Sequence, residues 1–160
     1  MADLVSLARS LITDNLYMAL GTADASGVPW VSPVFFTPED DSTFLWVSSP
    51  DARHSRNIAV RPSVGITIYD SRSEVGRASA VYMSAVAHKV PADSSASALA
   101  VFNGRLPASQ HITVEELQGL FRLYRATVTE HSVLIRGGDP EYGKGADSRM
   151  TVTLPGKRTG

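Results

Sequence analysis

Apolar and polar positions alternate along most of this chain, and the alternation is interrupted by a few short stripes of helical period. Leu4, Leu7, Ala8, Leu11 and Ile12 recur at the spacing of one helix face behind Asp3, a side chain suited to cap the first turn. They predict an N-terminal helix within residues 1–14. Residues 16–23 then read as a strand, Asp24-Ala25-Ser26-Gly27 as a tight turn, and residues 28–37 as the returning strand of a hairpin. Pro29 and Pro33 fall inside that second strand. Proline has no N–H to give to a ladder, so the strand belongs at a sheet edge, with backbone around Val31 and Ser32 open to a ligand.

Residues 37–42 are polar and acidic and predict a loop. Phe44 to Val47 is an apolar strand, followed by a short helix that Pro62 ends. Val64, Ile66 and Ile68 alternate with Gly65, Thr67 and Tyr69, the pattern of a half-buried strand, and residues 78–90 are long enough for a strand that outruns its neighbours. Asp93 or Ser94 is placed to cap a helix through Leu99, Ala100 and Phe102, with Gly104 at its end. Thr113-Val114-Glu115-Glu116 matches a capping box, which predicts a helix to about residue 120. Residues 121–129 and 132–136 read as two strands, Gly137-Gly138-Asp139-Pro140 as a break, Gly143-Lys144-Gly145 as a flexible turn, residues 150–154 as a last short strand and residues 155–160 as a frayed tail.

About seven strands in mostly consecutive order, with helices between and around them, do not make a doubly wound sheet. They predict a mostly β fold, an antiparallel barrel with short flanking helices, formed as a single domain over residues 1–160. Composition narrows the function classes. Charged residues make up 19% of the 160 and the net charge is −1, so neither nucleic acid nor a membrane surface is an expected partner. With no cysteine there is no thiol redox centre, and the four histidines, His54, His88, His111 and His131, lack metal-ligand spacing, so no metal site is expected. The amino end lacks the basic start and long apolar run of a signal peptide, and a cytoplasmic setting is the default expectation.

The stretch from Phe44 to Pro62 carries the candidate chemistry. A strand runs into Ser48-Ser49, where Ser49 suits an N-cap and Pro50 the first helical position. Arg53, His54 and Arg56 then crowd the first turns. Free amides, hydroxyls and cations at a helix start form a ready anion site, here for the phosphate of a nucleotide-like cofactor.

The ordered series Tyr-Met-Ala-Leu-Gly-Thr-Ala-Asp-Ala-Ser-Gly-Val-Pro-Trp-Val-Ser-Pro-Val, then Ser48-Ser49, then Arg53-His54-Ser55-Arg56-Asn57-Ile58 and Arg61-Pro62, resembles the pyridoxamine 5′-phosphate oxidase-like family. The resemblance implies an antiparallel split β-barrel, Greek-key-like, that binds FMN, or in some branches a deazaflavin coenzyme, in a groove between two subunits of a homodimer. It implies that Trp30, Val31, Ser32 and Pro33 lie along the flavin ring, and that Val47, Ser48 and Ser49 contact the cofactor. It also implies that Arg53 and His54 clamp the phosphate, with His54 in place of the family's usual lysine. Two departures stand out. The middle strand reads Arg77-Ala78-Ser79-Ala80-Val81-Tyr82 without the Arg-Gln pair of the vitamin-oxidising members, and Asp147-Ser148-Arg149-Met150 carries no tryptophan.

The function so implied is an FMN-dependent oxidoreductase acting on a small organic substrate. A deazaflavin-dependent reductase and a non-catalytic flavin carrier or sensor remain alternatives, because all three need the same cradle. No acid–base pair stands out, and no catalytic residue is assigned. Trp30, Tyr69 and Tyr82 are aromatics for a flavin or a dimer seam, or plain packing, and Arg149 is placed to reach a cofactor from a second subunit.

Overall fold

The computed structural model describes residues 3–154; the expected tail at 155–160 lies outside them. The element order is α1 (Leu4–Asp14), β1 (Tyr17–Ala23), β2 (Pro29–Phe35), β3 (Thr37–Asp40), β4 (Thr43–Ser48), α2 (Arg53–Val60), β5 (Ser63–Tyr69), β6 (Ala80–Lys89), α3 (Ala92–Asn103), α4 (Val114–Gln118), β7 (Arg122–Ile135) and β8 (Ser148–Val152). All pairings are antiparallel. The sheet order is β2-β1-β5-β6-β7-β4-β3, with β8 added against β7. β1 pairs across to β5 while β4 crosses to β7, which is the Greek-key-like wrapping of a split β-barrel with flanking helices. No helix among the described residues is long and apolar enough to cross a membrane.

Strand alternation builds the core. Met18, Leu20, Phe36, Phe44, Trp46, Ile66, Ile68, Val81 and Val133 are fully buried and pack with Ala8, Leu11 and Ile12 of α1. Asp3 caps α1 as its sequence suggests, accepting from Val5 N at 3.1 Å and Ser6 N at 3.2 Å. A smaller cluster on the other face of β4 joins Leu45 and Leu123 to Ala98, Leu99 and Phe102 of α3 and Leu117 of α4. Both faces of β4 are therefore covered. That explains why Phe44-Leu45-Trp46 is a continuous apolar run and not an alternating one.

Several boundaries differ from the sequence expectation. The 37–42 segment is not all loop: Thr37–Asp40 pairs with β4 across a bulge at Pro38–Asp40, and Asp40 closes the hairpin by accepting from Ser42 N at 2.8 Å. The two strands expected at 121–129 and 132–136 are one strand of 14 residues, bent by a register shift against β6 at Ser84–Ala85. Bending lets one strand pair with β4 at its start and β8 at its end. Eight strands are present among the described residues, with β3 an addition to the expected set and two expected strands merged in β7. α3 begins one residue before Asp93, with Pro91 at the cap position, and Gly104 ends it in right-handed conformation at φ −59°. The capping box at Thr113 and Glu116 forms, but α4 stops at Gln118. The 137–147 connection is knitted, not loose. Gly145 N donates to Gly137 O at 2.9 Å, and a Cβ on Gly137 would sit 2.6 Å from the Gly145 carbonyl carbon.

Candidate functional site

β2 is the terminal strand of the sheet, as its two prolines require. Its register against β1 sets Trp30 opposite Thr22, Ser32 opposite Leu20 and Val34 opposite Met18, all on the inner face. Val31 and Pro33 oppose Gly21 and Ala19 on the outer face. Alternation therefore divides the four expected flavin-side residues into two pairs. Trp30 donates its indole N–H to Ser32 Oγ at 3.0 Å. Val31 is 64% exposed and lines a shallow outer depression with Ala19, Gly21, Gly65 and Tyr82.

β4 delivers the next residues, again on alternate faces. Ser48 follows Phe44 and Trp46 on the α2 side, whereas Val47 points to the α3 side. The chain then turns before the helix begins. Ser49 is not the N-cap and Pro50 is not the first helical residue. Ser49 Oγ accepts from Asp51 N at 3.2 Å and Ser49 O from Ala52 N at 3.2 Å, so the Ser-Pro pair makes a turn that delays α2 to Arg53. Ala52 occupies the cap position and has no side chain able to cap. The first-turn amides of Arg53, His54 and Ser55 thus start a helix with no side-chain acceptor and no acid in that turn.

Three α2 side chains fasten this turn to three strands. The Arg53 guanidinium lies 4.4 Å from the centre of the Trp30 ring, a cation–π contact that holds it over β2, with no carboxylate partner among the described residues. His54 Nε2 shares a 2.9 Å hydrogen bond with Ser48 Oγ at the end of β4. Asn57 Nδ2 donates to Thr22 Oγ1 at 3.0 Å, and Thr22 Oγ1 donates to Trp30 O at 3.4 Å. Arg61, just past the helix, donates to Asp24 O and Ala25 O, both at 3.1 Å, and pins the hairpin tip where Gly27 takes φ +85°. Trp30, Ser32, Ser48, Arg53 and His54 are thereby drawn around one helix start, with Ser49 in the turn leading to it.

The two basic residues differ in kind. Arg53 is exposed and charged. His54 is buried, and loss of solvent pushes its imidazole below the ordinary histidine value, so it is neutral at pH 7. It orients Ser48 and adds no second positive charge.

Sequence reasoning missed two features. Asn57 and Thr22 form the buried bridge beneath Trp30; polar residues in an otherwise apolar alternation were the available signal. Arg105 was silent in the sequence, lying in no motif. It donates Nη1–H to Phe36 O and Nη2–H to Thr13 O and Asn15 O, each at 2.7 Å. Burial lowers its affinity for the proton, and it forms no ion pair among the described residues. Arg105 is also the one charged residue lining a cleft of about 520 Å3 walled by Tyr17, Phe35, Val47, Phe102 and Phe121. Arg149, placed by sequence near a shared site, lies over the Tyr82 ring at 4.3 Å on the outer face.

A helix start without a side-chain cap, an unpaired arginine and two hydroxyls match a phosphate, and an exposed indole beside them matches a flat ring. The sequence model of the family described as pyridoxamine 5′-phosphate oxidase matches residues 5–133. No curated protein matches the chain. Among solved structures, a heme binding protein from Mycobacterium smegmatis is 21% identical with a TM-score of 0.71, covering 94% of this chain and 59% of that one. An FAD-binding protein from Mesorhizobium loti is 16% identical with a TM-score of 0.62, covering 80% and 90%. An F420 reductase is 20% identical with a TM-score of 0.58, covering 77% and 94%. At these identities the likeness is one of fold.

Proposed function

We propose that this chain, which belongs to the pyridoxamine 5′-phosphate oxidase family, is an FMN-binding oxidoreductase that works as a homodimer on a small organic substrate. The observation that carries the reading is the α2 start: Arg53 held over Trp30 beside amides that no side chain caps. When bound, FMN supplies the hydride or electron chemistry. The protein's own residues bind and orient. Arg53 and the first-turn amides take the phosphate oxygens, with Ser48 and Ser49 adding hydroxyls. Neutral His54 keeps the Ser48 hydroxyl in place. Trp30 and Ser32 present a flat face and a hydrogen-bonding group at the free edge of β2.

The cleft beyond Val47 offers the substrate an aromatic wall and one cation, Arg105, which favours an organic anion. Tyr17, Val31, Tyr69 and Val86 expose apolar surface on the outer strands at 60%, 64%, 50% and 43%, which supports a second copy packing there. On that face the partner brings its own residues to the groove beside Val31 and Pro33.

Purified protein titrated with FMN and with riboflavin tests the reading. Arg53→Ala is expected to weaken FMN by roughly 10- to 150-fold, the equivalent of a lost charge-assisted hydrogen bond, and to leave riboflavin nearly unchanged. Equal loss for both would show that Arg53 does not hold the phosphate. The deazaflavin coenzyme and heme, run in parallel, are expected to bind more weakly than FMN. Sedimentation equilibrium is expected to give a dimer, and a stable monomer would contradict the shared groove.

A further inference from the structure

A second cleft, of about 410 Å3, lies between α2, the end of β6 and Tyr124 of β7. None of Trp30, Ser32, Ser48, Arg53 or His54 lines it. Its floor is apolar and aromatic: Ile58, Ala87 and Tyr124, the last stacked on Trp46 with ring centres 5.7 Å apart and planes 16° apart. Arg56 from α2 and Lys89 from β6 line it, both exposed, and neither forms an ion pair with a described residue. No carboxylate is among its lining residues. Ser55 also lines it. Ser55 is only 3% exposed, yet its hydroxyl has no hydrogen-bond partner. Buried hydroxyls are nearly always satisfied, because stranding one in a dry environment costs free energy.

A stranded hydroxyl, two unpaired cations and an aromatic floor in one cleft describe a receptor for an oxyanion with a flat apolar body. We propose that this cleft is a second ligand site, separate from the cofactor cradle, that takes a small aromatic or similarly flat phosphate or carboxylate. Arg56 and Lys89 meet the charged oxygens, the apolar floor of Ile58, Ala87 and Tyr124 takes the body, and Ser55 gains the partner it lacks. The volume falls in the range of small-molecule pockets. The two sites share α2 and the Ser49-Pro50 turn before it: Arg53, His54 and Asn57 serve one, and Pro50, Ser55 and Arg56 line the other.

The full chain, labelled with nitrogen-15, is titrated with phenyl phosphate, benzoate, benzyl alcohol and benzylammonium, with and without FMN. The two oxyanions are expected to shift the amides of Ser55, Arg56 and Lys89 and the Trp46 indole N–H saturably; the tighter of the two identifies the oxyanion. The alcohol and the ammonium are expected to leave these signals in place. Arg56→Met and Lys89→Met, at exposed positions that tolerate change, should each weaken the oxyanion about tenfold. Ser55→Ala separates a ligand role from a packing role: it should leave the melting temperature equal or higher while weakening binding several-fold. Arg53→Ala should leave the oxyanion titration unchanged whatever it does to FMN, so this site stands or falls apart from the cofactor reading. Absence of saturable shifts with either oxyanion, or equal binding of benzyl alcohol and benzoate, would overturn the proposal, as would a Ser55→Ala variant that is destabilised with unchanged affinity.

Discussion

Mild acid should loosen this protein through two imidazoles. His54 is 9% exposed and His131 5%. Burial pushes both below the ordinary histidine value; for His131 the carbonyl and charge of Asp41 offset part of that, through a 2.8 Å bond from Nε2–H to Asp41 O. A folded value below the unfolded one means that the unfolded chain binds the proton first. Above about pH 6.5 both states are neutral at these sites and no stability is at stake. As the pH falls through 6.5 the unfolded state gains protons that the folded state resists, and stability drops until the folded value is reached. The ceiling at pH 5.5 is about 1.4 kcal/mol for each imidazole and about 2.8 kcal/mol for the pair. Urea unfolding at several values between about pH 7.5 and about pH 5.5 reads this as a fall in the midpoint at constant slope. His54→Gln and His131→Gln should each remove part of the dependence. FMN adds a second test. A phosphate bound at the α2 start raises the proton affinity of His54 beside it, so saturating FMN should flatten the profile more in wild type than in His54→Gln. A wild-type midpoint that is flat over this range, with both histidine variants equally flat, would refute the assignment of neutral buried imidazoles.

Other outcomes follow from the same contacts. Asn57→Leu strands the Thr22 hydroxyl on one side and should cost about 1–3 kcal/mol of stability, and pairing it with Thr22→Val should recover part of the loss in a double-mutant cycle. Arg105→Met removes a guanidinium from three carbonyls that tie α3 to α1 and β2, and a fall of at least about 2 kcal/mol is expected by thermal or urea unfolding. Phe44→Ala empties a fully buried ring site and should cost about 3–5 kcal/mol, while Leu120→Ala, at 79% exposure, should change the midpoint little.

How far the chain declares itself depends on the range of the interaction. Asp3, the Asp24–Gly27 turn and the Thr113–Glu116 box act within a few residues, and each formed where its sequence places it. Pro29 and Pro33 announced an edge because a missing N–H is a local fact with a global consequence. The errors arose where distant pairing decides. The polar letters of Thr37–Asp40 make a strand because β4 lies alongside, and Glu39 there is fixed by Arg125 of β7 through bonds of 2.7 and 2.9 Å. Glu130-His131 falls between the two separate strands that the sequence predicts, but His131 is tied to Asp41 and the strand runs through.

Within the candidate site the same logic separates what a sequence carries from what a fold adds. Ser48, Arg53 and His54 were visible as a hydroxyl and two bases near a helix start, with Arg53 the stronger clamp and His54 a departure from the family's lysine. Burial divides them further, leaving Arg53 charged over Trp30 and turning His54 into a neutral support for Ser48. Likewise a run such as Trp30-Val31-Ser32-Pro33 reads as one contact strip, yet a strand sends neighbours to opposite faces. Trp30 and Ser32 lie on the inner face beside the α2 start, while Val31 and Pro33 face the exposed apolar side where the proposed second copy would pack. If the cofactor touches all four, it must reach both faces at the free edge of β2, and the proposed partner would complete the site there. Substituting Val31 by Asp therefore distinguishes the two arrangements. In a shared groove it should weaken FMN and dissociate the dimer together, whereas in a site built by one chain it should do neither.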